Sequence, residues 1–181
     1  MNCCHYYQFI PGNEQVFSAD VTRVRYGCGV LKELGQEAGA LGIKRAAVYT
    51  DSRIRSSPLF EEAVAALRAE GIEAVIYDEV RVEPTDTSFK EAAQFAKSSA
   101  FDGFISIGGG SVIDTVKAAN LYSSCEGDFM DYVNAPIGRG LVAPGPLRPH
   151  LACPTTAGTG SESTGIAVFD LLEMKSKTGI S

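Results

Sequence analysis

The sequence predicts an α/β fold, a doubly wound parallel sheet with helices on both faces, and three observations predict it. Short apolar runs alternate with stretches of helical periodicity. Three consecutive glycines, Gly108 to Gly110, stand between one apolar run and the helix after it. A second glycine-containing loop, rich in hydroxyls, follows a later run. Alternation of this kind joins parallel strands through right-handed crossovers.

Taken in order, Gln15 to Tyr26 has the content of extended chain, with Val16, Val21, Val24 and Tyr26 apolar between polar neighbours. The period then changes: Val30, Leu31, Leu34, Ala38 and Leu41 recur at helical spacing, and Gly42 stands where a C-terminal cap belongs. Ala46 to Thr50 reads as a buried strand ending at Asp51. Ser57-Pro58 opens a helix with a cap residue and a proline at its first position, with Leu59, Ala63, Ala66 and Leu67 expected to face inward. Glu73 to Tyr77 reads as the next strand, and Ser88 with Glu91 as a capping box for a helix carrying Phe89, Ala92, Ala93, Phe95 and Ala96. Phe104 to Ile107 is a further strand and Val112 to Tyr122 its helix. The segment from Asn134 to His150 holds four of the eight prolines and reads as a long surface loop. Strands resume at Leu151 to Cys153 and at Gly165 to Phe169.

At 181 residues with 45% hydrophobic content, the chain suffices for one core, read as a flexible N-terminus over 1–16 and one domain over 17–181. The ending at Thr178 to Ser181, without a terminal helix or polar tail, reads as truncated. A formal charge of -6, with no cluster of Lys and Arg, argues against a nucleic-acid partner. No apolar run reaches the roughly 18 to 20 residues of a membrane span. No Lys or Arg precedes Arg23, so no targeting segment is legible and the cytoplasm is the expected location. Five cysteines point to reduced thiols, and Cys3-Cys4-His5 lacks a second ligand pair at zinc-site spacing.

The glycines carry the functional expectation. A strand that stops at bare backbone and continues as a helix aims amide N–H groups and the positive helix end at one point, which suits a phosphate. Ser111 and Asp114 at capping-box spacing are the structural reading of the same turn, and the two are compatible. Gly27-Cys28-Gly29 begins like a dinucleotide fingerprint but has Lys32 where the third glycine belongs, so it reads as a turn. Asp51, at a strand end, suits a ribose hydroxyl and favours NAD over NADP; a solvated turn residue is the other reading, and Arg53 is close in sequence. Pro154 to Thr164 packs six hydroxyls and two glycines into eleven residues, a density suited to a second part of a dinucleotide or to an ordinary Ser/Thr loop.

The stretches Gly108-Gly109-Gly110-Ser111 with Asp114 and Lys117, and Pro154-Thr155-Thr156 with Gly158-Thr159-Gly160-Ser161-Glu162, resemble the paired signatures of the iron-containing (group III) alcohol dehydrogenases. Val24 to Gly27, Val80 to Asp86, Lys117 to Tyr122 and Asp131 to Gly138 resemble that family's hydroxyacid-oxoacid transhydrogenase branch. The resemblance runs from about Phe17 to Ser181. It implies a Rossmann-like, dehydroquinate synthase-like N-terminal domain, followed in the family by an all-helical metal-binding domain that this chain lacks. It places Asp51 at the adenosine ribose and Gly109, Gly110, Ser111 and Asp114 at the diphosphate. Thr155, Thr156 and Thr159 fall beside the dinucleotide, and Val168 and Lys177 at further cofactor contacts. Glu83 stands where many relatives have Asn. No catalytic or metal-ligating residue is expected here: the family's divalent metal, iron or zinc, is held by one Asp and three His beyond Ser181, which neither His5 nor His150 matches.

In such relatives bound NAD carries hydride from a hydroxyacid of the 4-hydroxybutyrate type to an oxoacid of the 2-oxoglutarate type. The chain alone is then expected to be inactive. An NAD-linked dehydrogenase of alcohols and aldehydes and a non-catalytic nucleotide-binding module are the alternatives. A homo-oligomer and, as for some relatives, a mitochondrial location are compatible with the resemblance.

Overall fold

A computed structural model describes residues 22–181. The expected flexible segment 1–16, most of the extended stretch from Gln15 and the Cys3-Cys4-His5 cluster lie outside them. The remainder of that stretch, residues 22–26, forms no strand, and Tyr26 is 99% exposed, with no partner strand for it among the described residues.

A 3-10 turn, Val30–Glu33, leads into α1 (Leu34–Ala40), and β1 (Arg45–Tyr49) follows. Next come α2 (Ser52–Arg55), α3 (Pro58–Ala69), β2 (Glu73–Tyr77), α4 (Asp86–Lys97), β3 (Gly103–Gly108) and α5 (Gly110–Ser124). After α6 (Phe129–Tyr132) the chain wanders to β4 (His150–Pro154), and ends with β5 (Ala167–Leu171) and β6 (Ser176–Ile180). The first four strands form one parallel sheet in the order β2-β1-β3-β4. The crossover carrying α3 leads outward from β1 to β2. The one carrying α4 passes back over β1 to β3, so the direction of winding reverses between β1 and β3. In sheets of this kind that reversal opens a crevice at the carboxyl ends of the strands.

Strand alternation divides the core. Ala46, Val48, Ile105 and Ile107 face α1 and α3, meeting Leu34, Ala38, Phe60, Ala63, Val64 and Leu67. Ala47, Tyr49 and Phe104 face α4 and α5, meeting Ala92, Ala96, Val112 and Val116. Each fully buried side chain the size of Phe60 contributes about 2–3 kcal/mol. Helices therefore cover both faces, as the alternation predicts.

The strand pair β5–β6 departs from the expected sheet. It is an antiparallel hairpin in a sheet of its own, lying on the outer sides of α4 and α5, where Phe169, Leu171 and Ile180 meet Phe89, Ala93, Ala118 and Leu121. This third layer explains why α5 is buried nearly all round, from Val112 to Tyr122 with only Lys117 partly open.

Several local expectations shift by a residue or a turn. Ser57 caps α3 as expected, its Oγ accepting from the Phe60 amide at 3.3 Å, but the inward face is Phe60, Ala63, Val64 and Leu67. Leu59 lies one position off that stripe and is 40% exposed. Leu41 falls beyond the last turn of α1 and is exposed as well. The cap of α4 is Thr85, not Ser88: Thr85 Oγ1 accepts from the Ser88 amide at 3.2 Å and Ser88 Oγ from the Thr85 amide at 2.8 Å. His150 leaves the long loop and begins β4, where its Nε2 shares a 2.8 Å hydrogen bond with Ser106 Oγ on β3.

Candidate functional site

Asp51, the glycine turn and the threonine loop all leave the carboxyl ends of the parallel strands. Asp51 follows β1, the glycines follow β3 and the threonines follow β4, so β3 lies between the other two. Thr50, fully buried, ties two of these ends together by donating its hydroxyl to the Ile107 carbonyl at 2.8 Å. The Thr155 amide donates to the Gly108 carbonyl at 2.9 Å and continues the register of β3 and β4 into the loops.

Each of the three glycines has its own reason to lack a side chain, and none has a positive φ. A Cβ on Gly108 would stand 2.4 Å from Val112 Cγ2 and 2.8 Å from Val112 Cβ, in the packing of α5 onto its own strand. On Gly109 it would stand 3.0 Å from Thr156 Oγ1, and on Gly110 3.2 Å from both Thr159 Cβ and Ser161 Oγ. The structure thus brings the two signature loops face to face, with only hydrogen atoms on the glycine side. Close approach, not backbone freedom, is what the glycines supply here.

The expected Ser111–Asp114 capping box does not form. Gly109 is the N-cap of α5 and no side chain caps the helix, so its first amides point past the turn with no partner from the helix itself. Asp114 is buried instead. Its Oδ2 accepts from the Val168 amide at 3.1 Å, and its Oδ1 lies 3.4 Å from Lys117 Nζ, which also donates to the Ile166 carbonyl at 2.7 Å. Asp114 and Lys117 fasten the β5–β6 hairpin to α5, and Val168 reaches the site region through Asp114.

Asp51 caps α2: its Oδ1 accepts from the amides of Arg53 and Ile54 at 2.9 and 3.0 Å. Both the ribose reading and the turn reading anticipated a carboxylate at this strand end, and the cap leaves Oδ2 without a role in that turn. Thr155, Thr156 and Thr159 are exposed, and the hydroxyl of Thr159 accepts from the Ser161 amide at 3.4 Å. Lys177 lies on β6, paired in register with Asp170 of β5. Its Nζ is 2.7 Å from Glu83 Oε2 and 3.5 Å from Asp170 Oδ1, and the Glu83 carboxylate both hydrogen-bonds the ammonium and raises its pKa. Glu83 itself adopts φ 59°, a left-handed conformation that Asn tolerates better than Glu.

Two residues near these loops had no assignment from sequence. Thr50 is one, recognisable only once β1 and β3 are known to be neighbours. Glu162 is the other: it belongs to the second signature, and its Oε2 is sealed from solvent with no hydrogen-bond partner. Cys28 is exposed, whereas burial raises the pKa of Cys153 to about 11, and none of the three described cysteines is in a disulfide.

A cradle of bare amides facing a hydroxyl-rich loop, at the point where the winding reverses, can receive a dinucleotide diphosphate. The chain is 50% identical to the mitochondrial hydroxyacid-oxoacid transhydrogenase of Bos taurus and 46% identical to that of Homo sapiens, with 97% of this chain covered in both cases. It spans about two fifths of the length of these relatives, 40% and 39%. Among solved structures it is similar to a 1,3-propanediol oxidoreductase, with TM-score 0.81 and 31% identity over 92% of this chain and 43% of that one. It is also similar to an NADH-dependent butanol dehydrogenase of Thermotoga maritima, with TM-score 0.83 and 27% identity over 93% of this chain and 41% of that one. The family model for iron-containing alcohol dehydrogenase matches residues 21–181, and the chain therefore belongs to that family.

Proposed function

We propose that residues 17–181 are the NAD-binding domain of a metal-dependent oxidoreductase that moves hydride from a hydroxyacid to an oxoacid. The observation that carries the reading is the apposition of Gly109 and Gly110 with Thr156, Thr159 and Ser161, a cradle that a single methyl on either glycine would narrow. The residues fit the cofactor. Gly109, Gly110 and Ser111 would hold the diphosphate through backbone N–H groups, and Asp51 the adenosine ribose. Thr155, Thr156 and Thr159 would supply hydroxyls along the second half. Asp114 and Val168 would act as the buttress behind the cradle, with Lys177 at its outer edge. When bound, the cofactor supplies a nicotinamide that accepts and returns hydride. The chain's own part is to bind and orient it and, through Asp51, to disfavour a 2'-phosphate.

The described residues do not fit the divalent metal, iron or zinc, that the family name implies. Among them no group of three His, Cys, Asp or Glu side chains converges. In this reading the metal's ligands lie elsewhere in the whole protein, and this chain alone is inactive. The names of the curated relatives favour the hydroxyacid-oxoacid pair over simple alcohols and a mitochondrial over a cytoplasmic location. Among the described residues no helix is long and apolar enough to cross a membrane.

Calorimetric titration tests the binding. NADH should give saturable heat with the chain and NADPH a weaker response. Gly109→Ala should lower NADH affinity at least about tenfold with little loss of stability, because the exposed Thr156 can move aside. Absence of heat with saturating NADH on folded protein overturns the reading.

A further inference from the structure

The connection from β2 to α4 is pinned at both ends and bare between them. At one end Val80 is buried, and its amide donates to the Thr50 carbonyl at 3.4 Å. Thr50 is the residue whose hydroxyl reaches the Ile107 carbonyl, one position before Gly108. At the other end Pro84 and Thr85 are buried, the Pro84 carbonyl accepts from the Asp170 amide at 2.8 Å, and Thr85 bridges to Asp170. Two residues before Asp170 on β5, the Val168 amide is held by Asp114 of α5, the helix that springs from the glycine turn. Both feet are therefore tied, one through Thr50 and one through β5, to the segments that carry that turn. Between the feet Arg81, Val82 and Glu83 form an exposed arch, with Val82 74% open to solvent.

Glu83 fastens the arch to the hairpin. Its carboxylate accepts from Lys177 Nζ at 2.7 Å, and Lys177 also lies 3.5 Å from Asp170, its cross-strand partner. The hydrogen bond lowers the Glu83 pKa and raises that of Lys177, so both groups are charged at neutral pH. Glu83 holds φ 59° to make this contact, and strain of that kind gathers at ligand clamps and switch segments. An ion pair so exposed does little for the stability of the empty domain, which leaves the strain without a structural return. The order of the sheet supplies the return. The threonine loop follows β4 at one edge, the arch follows β2 at the other, and the glycine turn follows β3 between them. A dinucleotide lying across the turn has the loop on one side and the arch on the other. We infer that Arg81 to Glu83 form the second rim of the dinucleotide site and that the Glu83–Lys177 pair is the latch that slows release of the ligand. This inference rests on the NAD-binding reading and adds to it a determinant of the lifetime of the complex.

The test measures stopped-flow association and release of NADH, by its fluorescence, on the full 181-residue chain. The variants are Glu83→Gln, Glu83→Asn, Lys177→Gln and the double variant Glu83→Gln/Lys177→Gln. Each single variant should release NADH about threefold faster or more, with association changed by less than about twofold, because a latch acts on the formed complex. The double variant should be no faster than the faster single one, since the two residues act as a unit. Salt at about 0.5 M should speed release from the unmodified chain and leave Glu83→Gln nearly unaffected. The ligand-free thermal midpoint should not fall in either Glu83 variant, which separates a latch from a structural tie. Unchanged release from Glu83→Gln overturns the inference and leaves the cradle standing. Faster release from Lys177→Gln alone overturns it too, by making Lys177 a direct ligand contact that needs no Glu83. Additive effects in the double variant, or faster release together with a lowered midpoint in Glu83→Gln, also overturn it. Failure of the unmodified chain to bind NADH overturns the cradle and the latch together.

Discussion

The turn after β3 and the loop after β4 face one another yet are built on opposite principles. The turn, Gly108 to Gly110, has ordinary backbone angles and owes its glycines to what stands against each one. The loop, Thr155 to Thr164, has its glycines at φ 89° and 71°, with open space where a Cβ would be, and its threonines exposed. One is glycine for contact and the other for conformation. The contrast assigns the turn the part of a rigid cradle, held by β3 and α5, and the loop that of an adaptable rim.

The largest expected effect tests the rigid side. Gly108→Ala must push against Val112, a branched side chain locked between helix and sheet, and should cost about 1–3 kcal/mol, a fall of roughly 3 to 10 °C in thermal midpoint. Should Gly108→Ala leave the midpoint unchanged, the turn is no more rigid than the loop. The next effect probes the foundation that the two share. Burial, with Lys117 adding to it, lowers the His150 pKa to about 4, and the ring links β4 to Ser106 on β3. Above pH 6.5 the imidazole is neutral folded or unfolded. Between about 6.5 and 4 the unfolded chain takes up a proton that the folded chain refuses, so stability falls as pH falls. Because the residue keeps some exposure, about 1–3 kcal/mol is expected over that window. Urea midpoints at pH 7 and pH 4.5 should therefore differ more for the unmodified chain than for His150→Leu. On the adaptable side, Gly158→Ala meets no neighbour and should cost only the strain of its left-handed backbone, about 1 kcal/mol by denaturant melts. The smallest effect is Glu83→Asn, which relieves φ 59° while losing only an exposed pair with Lys177, and should raise the thermal midpoint slightly. A fall there would give the Glu83–Lys177 pair a structural weight that its exposure does not suggest.

The elements that were legible in sequence are those whose signals are local. Ser57-Pro58 announces α3 because a cap and a fixed φ act within one turn, and the glycine turn is visible because a strand, bare backbone and a helix are contiguous. The cap lies one turn before the expected Ser88, since Thr85 and Ser88 satisfy each other's amides and leave Glu91 with no part in the cap. Leu59 and Leu41 show the limit of counting apolar positions: a stripe can be identified while its edges stay ambiguous by one residue.

Residue order alone determined the parallel α/β layering, the helices on both faces and the two motifs, because periodicity, caps and glycine positions are properties of neighbours along the chain. Only the tertiary structure decided that β5 and β6 form a separate hairpin, that Asp114 serves the Val168 amide, and that Gly110 faces Thr159. Nor could chain order reveal that Glu162 keeps a buried oxygen without a partner. The physical reason is that burial and hydrogen-bond partnership depend on segments some fifty residues apart meeting across α5, and no local pattern encodes which of them arrive.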